Sequence, residues 1–263
     1  MVSRSVPADG HYEFDSIDAF DGPVSAPTST YGVTVGGVPI DLRYDDRSCD
    51  ATVVFFHAAI TKVVKRYPVF SGASFSADIP ANRLFVSDPS LYVDPRLKLG
   101  WYAGNKHQPR LQDDLARLIS RFVREPDRLI FFGASGGGFA SLYYSAQFPG
   151  SIAVPVNPQT DISAYVPASV QRYLSCAWDA ETITEIPATT EVRRLYSGSL
   201  ENSVVYVQNT GDADHMTHHY VPFMNSLPDG HRVAPMLVDA GEGHVPPSRS
   251  LLGEILSGVV DNR

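Results

Sequence analysis

The sequence has little cysteine, a deficit of positive charge and no long apolar run. Its 263 residues include 2 Cys, 21 Lys and Arg, and 29 Asp and Glu, which leaves a formal net charge of −8. Two cysteines are too few for a disulfide framework, and an acidic chain without a Lys/Arg run lacks the electrostatic footprint of a nucleic-acid-binding protein. The longest apolar run, residues 51–60, is too short to cross a bilayer. We therefore expect no nucleic-acid partner and no membrane span.

The remaining composition is that of a folded protein. Residues 1–7 contain a single Arg, Arg4, and no apolar stretch follows it, so we expect no secretory leader and a cytoplasmic location. Gly and Pro, 20 each, lie well below the level that marks low complexity, and 43% hydrophobic residues can supply a sizeable core. We predict one domain over residues 1–263, with an N-terminal extension at 1–29 and a lid or insertion at 160–200.

Apolar stretches alternate with helical patterns along the chain. Residues 52–56 are continuously apolar after Thr52, which is typical of a strand buried on both faces. Two glycines join the alternating stretches 31–35 and 38–44, which predicts a hairpin. Further strands are predicted at 83–87, 128–132, 151–156, 203–208 and 232–238, and helices at 109–124, 138–148, 215–226 and 251–260. This alternation predicts an α/β fold with a mostly parallel sheet covered by helices on both faces.

One motif lies between a predicted buried strand and the helix that follows it. The segment contains Gly133-x-Ser135-x-Gly137 directly after the apolar residues 129–132. A serine on such a sharp turn projects its hydroxyl from the sheet edge, and the flanking glycines relieve backbone crowding. The N–H groups at the start of the helix can stabilise an anion that forms above them. This placement predicts a nucleophilic serine at position 135.

From this motif onward the sequence resembles the α/β-hydrolase superfamily, whose catalytic residues follow the chain order Ser, Asp or Glu, His. The strand at 203–208 is followed by Asn209-Thr210-Gly211-Asp212, so the resemblance implies Asp212 as the acid, with Asp214 as a rival. Asn209 stands where a glycine is more usual. His244 lies in a glycine-flanked loop after the last predicted strand. The resemblance therefore implies a triad of Ser135, Asp212 and His244.

The same resemblance extends to an early turn. Phe55-Phe56-His57-Ala58-Ala59 is similar to the family's His-Gly-x turn, with Ala58 in place of Gly. It implies that the backbone N–H groups of Ala59 and Gly136 form the oxyanion hole and that His57 is structural. The segments 135–140, 157–160 and 206–209 also resemble hydrolase-fold proteins of bacterial surface-glycan and glycoprotein acetylation systems.

These roles imply a serine hydrolase that cleaves a small-molecule or glycan ester through an acyl-enzyme, without a cofactor. An acyltransferase that uses the same triad remains open, because an alcohol could replace water as acceptor. So does a non-catalytic binding module. The aromatic residues Trp101, Tyr102, Tyr165, Tyr173 and Trp178 fit core or lid packing, or the mouth of a pocket.

A histidine-rich cluster, Asp212 to His219, offers another hypothesis. His215 and His218 lie three residues apart and are expected to share a helical face, one turn after two carboxylates, where they could hold a divalent metal. The spacing differs from the H-E-x-x-H pattern of zinc proteases. The alternative is that Asp212 and Asp214 cap a helix with a polar face. We expect no metal.

Overall fold

The computed structural model describes residues 3–24, 26–60, 66–123 and 128–261, and its strands form one mixed sheet. The strands are β1 His11–Phe14, β2 Thr28–Val35, β3 Val38–Asp45, β4 Thr52–Phe56, β5 Asn82–Val86, β6 Leu129–Ala134, β7 Ile152–Val156, β8 Ser203–Asn209 and β9 Val233–Val238. Their order across the sheet is β1-β2-β3-β5-β4-β6-β7-β8-β9. Among these described strands, β2 pairs antiparallel with β3 and β3 with β5, and the other neighbours pair parallel.

Helices lie between the strands and after the last one. They are α1 Leu111–Ser120, α2 Gly136–Ser145, α3 Pro167–Tyr173, α4 Arg193–Tyr196, α5 Ala213–His215, α6 Val221–Asn225 and α7 Arg249–Asp261. Two stretches of π-helix extend this set: Leu174–Trp178 continues α3, and Met216–Tyr220 joins α5 to α6. The architecture confirms the predicted α/β class and the mostly parallel sheet.

The continuously apolar central strands supply two cores at once. In β4, Val54 and Phe56 pack into the core on the α1 and α2 side, whereas Val53 and Phe55 pack into the core that contains α7. Successive side chains of a strand point to opposite faces, so a strand between two helical layers must be apolar at every position. This is the physical reason why the predicted bounds of β4 agree with the structure.

The predicted helix bounds differ from the observed ones: 138–148 corresponds to α2 Gly136–Ser145 and 251–260 to α7 Arg249–Asp261. The helix predicted at 109–124 is shorter, since α1 runs from Leu111 to Ser120. The helix predicted at 215–226 is interrupted by the π-helical turn. The expectation that His215 and His218 share a face is wrong: His215 and His219 are buried together, whereas His218 is exposed and pairs with Asp214.

The sheet topology marks one place at its carboxyl edge. The chain leaves β4 for β5 on one side and leaves β6 for β7 on the other, so the connections diverge between the adjacent strands β4 and β6. Ligand sites of open α/β sheets lie at such a divergence. Among the described residues, no helix combines the length and apolar character needed to cross a bilayer.

Candidate active site

Ser135 occupies the sharp turn between β6 and α2. Its φ of 55° and ψ of −118° lie outside the regions that a serine ordinarily adopts. The backbone N–H of Ser135 donates to the carbonyl of Val156 at 2.9 Å, and its own carbonyl accepts from Phe139 at 3.1 Å. Strained backbone of this kind concentrates at functional sites, where the surrounding structure holds it in place.

The glycines around Ser135 are required by close packing. A side chain at Gly133 would collide with the backbone of Gly137, and a side chain at Gly137 would meet the carbonyl of Phe56 at about 2.5 Å. These contacts pack the start of α2 directly against β4 and β6. The spacing of the G-x-S-x-G motif is thus explained by backbone approach on both sides of the serine.

The structure brings Asp212 and His244 together. Asp212 follows β8 and is 2% exposed, and its Oδ2 lies 2.7 Å from Nδ1 of His244 in the loop after β9. Burial opposes the charged form of Asp212, but hydrogen bonds from His244 and from the backbone N–H of His215 outweigh it and lower the pKa of this carboxyl. Asp212 also caps α5 through that backbone N–H, as the alternative sequence interpretation of this residue predicts.

Asn209 joins the loop that contains Asp212 to the loop that contains His244 through hydrogen bonds, a role that the sequence did not predict. Its side-chain amide donates to the carbonyls of Gly241 and Gly243 at 2.8 and 3.0 Å, and its Oδ1 accepts from Ala240 and Gly211 at 2.9 and 3.1 Å. The side chain is fully buried. Asparagine at this position therefore fixes the loop of His244 against the loop of Asp212.

Gln159 is a direct hydrogen-bond partner of the serine hydroxyl. Its Nε2 donates to Oγ of Ser135 at 2.9 Å and lies 2.9 Å from Nε2 of His215. Trp101 can only donate, and its Nε1 is 3.1 Å from Oε1 of Gln159, which fixes the orientation of the amide. Gln159 is fully buried. The structure therefore connects the serine to a second histidine that the sequence did not place at the site.

His215 is neutral and its basic nitrogen is occupied. Because the Gln159 amide donates to Nε2 of His215, the ring proton lies on Nδ1. That atom is 3.1 Å from Oδ2 of Asp212 without forming a hydrogen bond with it. Burial lowers the pKa of His215 to about 4. His215 is therefore unsuited to accept a proton from the serine.

His244 differs from His215 in access. Its side chain is 35% exposed, whereas that of His215 is 3% exposed. The two rings stack with centroids 4.0 Å apart and an interplanar angle of 15°. With Nδ1 bonded to Asp212, the ring of His244 keeps Nε2 for another partner. His244 is thus the histidine that is both oriented by a carboxylate and open to solvent.

Ser135 and His244 line one cavity of about 240 Å³. In the described part of the chain, no hydrogen bond joins the two side chains, since the Ser135 hydroxyl bonds to Gln159 instead. The cavity walls are otherwise largely apolar. The residues around it are Ala58, Ala59, Ala134, Ser135, Val156, Asn157, Tyr165, His244 and Pro246.

The turn after β4 lies at the same cavity. Ala58 and Ala59 both line it, beside the start of α2 at Gly136. The ring of His57 is buried below this turn: Nδ1 lies 2.8 Å from the carbonyl of Ala58, and Nε2 accepts the backbone N–H of Asp88 at 3.1 Å. Burial lowers the pKa of His57. Both ring nitrogens are thus engaged with the backbone.

Among the described residues, the one set that could hold a metal ion shares Asp212 and His215 with the cluster considered from the sequence and adds His244. Ligand atoms of Asp212, His215 and His244 lie within 4.8 Å of one another, whereas His218 points away. Two ligands of a tetrahedral zinc ion, each at about 2 Å, lie roughly 3.3 Å apart. The 2.7 Å separation of Asp212 and His244 is shorter and matches a hydrogen bond. The geometry favours a carboxylate–imidazole pair over a metal centre.

No protein-family model and no curated protein matches this sequence. Among solved structures, the chain is similar to the capsule O-acetyltransferase of Neisseria meningitidis serogroup A, with a TM-score of 0.65 and 14% identity over 87% of this chain and 96% of that one. It is also similar to prolyl oligopeptidase B of Galerina marginata, with a TM-score of 0.59 and 13% identity over 89% of this chain and 35% of that one.

A third similar structure is dipeptidyl peptidase 4 of Porphyromonas gingivalis, with a TM-score of 0.57 and 15% identity over 90% of this chain and 36% of that one. The chain spans only about a third of each peptidase. These likenesses confirm the predicted α/β-hydrolase fold. All three neighbours are enzymes.

Proposed function

We propose that this chain is a serine-dependent carboxylic-ester hydrolase, one α/β-hydrolase domain over residues 1–263, that works through an acyl-enzyme on Ser135. The observation that carries the proposal is the buried Asp212 carboxylate 2.7 Å from Nδ1 of His244, at the rim of the cavity that contains the Ser135 hydroxyl. A carboxylate–imidazole pair beside a strained serine is the arrangement that acyl transfer needs.

Each group has one role in this proposal. His244 takes the proton of Ser135 through Nε2 as Oγ attacks the ester carbonyl, and later returns it to the leaving alcohol. Asp212 holds the imidazole tautomer and stabilises the imidazolium. The N–H groups of Gly136 and Ala59 donate to the oxyanion, each lowering the barrier by roughly 3 kcal/mol in comparable sites. Water then attacks the acyl-enzyme, with His244 again as base.

In the proposed mechanism, the hydroxyl of Ser135 must form a hydrogen bond with its base, His244, in addition to or in place of its bond with Gln159. In the structure Oγ accepts from Gln159, and this bond leaves the hydroxyl proton free to be donated elsewhere. Hydrogen bonds between nucleophile and base are often long without substrate and tighten when it binds. A rotation of the Ser135 side chain, or a shift of the exposed His244 ring, closes the gap within the shared cavity.

Room for an acyl chain lies next to the serine. An apolar groove of about 530 Å³ shares three walls, Ala58, Ala134 and Pro246, with the Ser135 cavity. Ala134 directly precedes the nucleophile, and Ala58 directly precedes the proposed oxyanion donor Ala59. The side chains that line the groove are mainly apolar, among them Phe55, Phe56, Phe70, Phe75, Phe132 and Leu252. The groove therefore favours substrates with an acyl group longer than acetyl.

Hydrolysis of 4-nitrophenyl esters by wild type and by Ser135→Ala tests the proposal. We expect wild type to release nitrophenol with a burst, followed by steady turnover, and the variant to lose at least about a thousandfold of the rate. Equal rates would exclude Ser135 as the nucleophile. Ser141→Ala, at a buried serine of α2 that lies outside the cavity, is the matched control.

A second candidate is O-acyl transfer to an alcohol, including a sugar hydroxyl. It is favoured by the similarity to the capsule O-acetyltransferase, which extends over 96% of that chain and 87% of this one. The same acyl-enzyme would form, and an alcohol would replace water in the second step. Product analysis with and without an acceptor alcohol separates the two functions, because a hydrolase turns over without the acceptor.

A metal-assisted reaction at Asp212, His215 and His244 is the remaining alternative. If a metal were needed, prolonged dialysis against a chelator would abolish ester hydrolysis and added zinc would restore it. The proposed mechanism predicts full activity after chelation. It also predicts inhibition by added zinc, because a metal bound to these residues would occupy the nitrogens and the carboxylate that the base requires.

A further inference from the structure

A second recess adjoins the Ser135 cavity and has no lining residue in common with the apolar groove. Its volume is about 140 Å³, and it shares Ala59 and Tyr165 with the serine cavity. Its remaining lining residues are Ile60, Leu97, Lys98, Leu99, Ser169 and Arg172. We call this feature the cationic recess. A substrate bound at the serine could extend into it past the turn at Ala59.

The ionic side chains that line the cationic recess are both positive. Lys98 and Arg172 are exposed, and neither lies within ion-pair distance of a carboxylate in the described residues. By contrast, Arg43, Arg83 and Lys106 all form ion pairs, in a chain whose net charge is −8. Two unneutralised cations on one recess of an acidic protein produce a local field that attracts anions.

The backbone holds Lys98 in place at the recess. Its carbonyl accepts the N–H of Ile60 at 2.8 Å, and its neighbours Leu97 and Leu99 are buried. Leu99 also packs against Gly136, since a side chain at Gly136 would collide with it. The recess wall thus reaches the residue proposed to hold the oxyanion. Arg172, in the last turn of α3, and the hydroxyl of Ser169 face the same space.

From this arrangement, and resting on the proposed function, we infer that the substrate carries an anionic group, a phosphate or a carboxylate, which binds Lys98 and Arg172 while its ester lies at Ser135. The Arg172 guanidinium can bind either anion in a bidentate manner, and the Lys98 ammonium adds a second charge. The apolar groove and the cationic recess have no lining residue in common, and each adjoins the Ser135 cavity through different residues. The substrate class is an ester or thioester with an apolar acyl part and an anionic part.

Three acetyl esters of substituted phenols measure the selectivity. The para substituent is a methyl ester (neutral), a carboxylate or a phosphate, so the acetyl group is constant, and differences in leaving-group reactivity cancel when wild type and variant are compared. The quantity compared is the ratio of kcat/KM for each anionic ester to that for the neutral ester. We expect Lys98→Gln with Arg172→Gln to reduce this ratio by about fivefold or more at low ionic strength. The carboxylate and phosphate arms show which anion is preferred.

Arg110→Gln with Arg117→Gln is the matched control, because it also removes two exposed positive charges, both outside the cationic recess. We expect this control to leave the ratio unchanged. If the control and the double variant alter the ratio equally, only net charge matters and the inference is overturned. An unchanged ratio in the double variant overturns it as well.

Binding without catalysis separates this inference from the proposed function. Ser135→Ala is titrated with coenzyme A, a phosphate-rich thiol, and with inorganic phosphate by calorimetry, with and without Lys98→Gln and Arg172→Gln. Salt-sensitive binding of either probe that the double substitution weakens supports the recess even if Ser135 proves not to be the nucleophile. If neither probe binds and the ratio of kcat/KM is the same in wild type and the double variant, the cationic recess has no ligand role. Loss of ester hydrolysis in Ser135→Ala would still support the triad in that case.

Discussion

The side-chain amide of Gln159 donates a 2.9 Å hydrogen bond to the hydroxyl of Ser135, and the same nitrogen lies 2.9 Å from the ring of His215. The hydroxyl of Ser135 is therefore hydrogen-bonded to a buried amide and not to a histidine in the described residues. This amide is itself oriented by Trp101, and His215 stacks against His244. The nucleophile and the proposed base are thus held by one connected set of buried polar contacts.

Replacement of Gln159 by Leu is expected to destabilise the fold by about 2 kcal/mol. The substitution leaves the indole N–H of Trp101 and Nε2 of His215 buried without partners, and an unpaired buried polar group costs about 1–3 kcal/mol. Urea unfolding measures the loss. Gln147→Leu, at an exposed position, is the control and should change the free energy of unfolding by less than about 0.5 kcal/mol. Similar losses in the two variants would contradict the account of Gln159.

The two candidate acids should differ sharply. Asp212→Asn is expected to lower kcat for an activated ester by about a thousandfold or more, because an amide neither holds the imidazole tautomer nor stabilises the imidazolium. Asp214→Asn should change kcat by less than about twofold, since the ion-pair partner of Asp214 among the described residues is the exposed His218. Steady-state kinetics on both variants decides the assignment. A larger loss in Asp214→Asn would mean that the acid has been misassigned.

Acyl-chain length tests the apolar groove. Each CH₂ group that leaves water contributes about 0.8 kcal/mol, so a hexanoyl ester should exceed an acetyl ester in kcat/KM. Ser74→Trp places a large ring at the exposed rim of the groove and should reduce this preference by about tenfold. Ser199→Trp, on a separate surface, is the control. A preference that Ser74→Trp leaves intact would show that the acyl chain binds elsewhere.

Stability should fall with acidity because of His215. Burial lowers its pKa from 6.5 to about 4, so the folded protein holds this ring neutral while the unfolded chain protonates it. The unfolded state therefore binds more protons between about pH 6.5 and pH 4, and stability falls as the pH decreases through that window. The difference in this contribution between pH 7.5 and pH 5 is about 2 kcal/mol.

Urea unfolding of wild type and of His215→Asn at those two pH values measures this contribution. The variant has no ionisable group at the position, so its loss of stability on acidification should be smaller by about 2 kcal/mol. His219, whose pKa burial lowers to about 3, remains in both proteins and accounts for part of the remaining dependence. An equal pH dependence in the two proteins would contradict a neutral His215.

Much of the fold could be predicted because local pattern and tertiary role agree. β4 and α1 are recognisable from continuous apolar residues and from the spacing of Leu111, Leu115 and Leu118, and the same side chains form the two cores. The motif predicts that Gly133 and Gly137 relieve backbone crowding around the serine, and in the structure a side chain at either position would collide with neighbouring backbone. The position of the serine turn followed from these features.

The contacts that hold the candidate site could not be predicted because they join distant segments. Gln159 is an ordinary polar residue in the sequence, and its contacts with Trp101 and His215 arise only when three connections meet at the sheet edge. A regular helical period predicts that His215 and His218 share one face. The π-helical turn at Met216–Tyr220 brings His219, instead of His218, beside the buried ring.

The most direct test of the central claim is covalent labelling with a fluorophosphonate followed by peptide mapping. A nucleophilic serine with a paired base should be phosphonylated at Ser135 alone, and the label should be lost in Ser135→Ala and slowed by at least about a hundredfold in His244→Ala. Wild-type protein that stays unlabelled, or that carries the label on another residue, would contradict the proposed acyl-enzyme at Ser135.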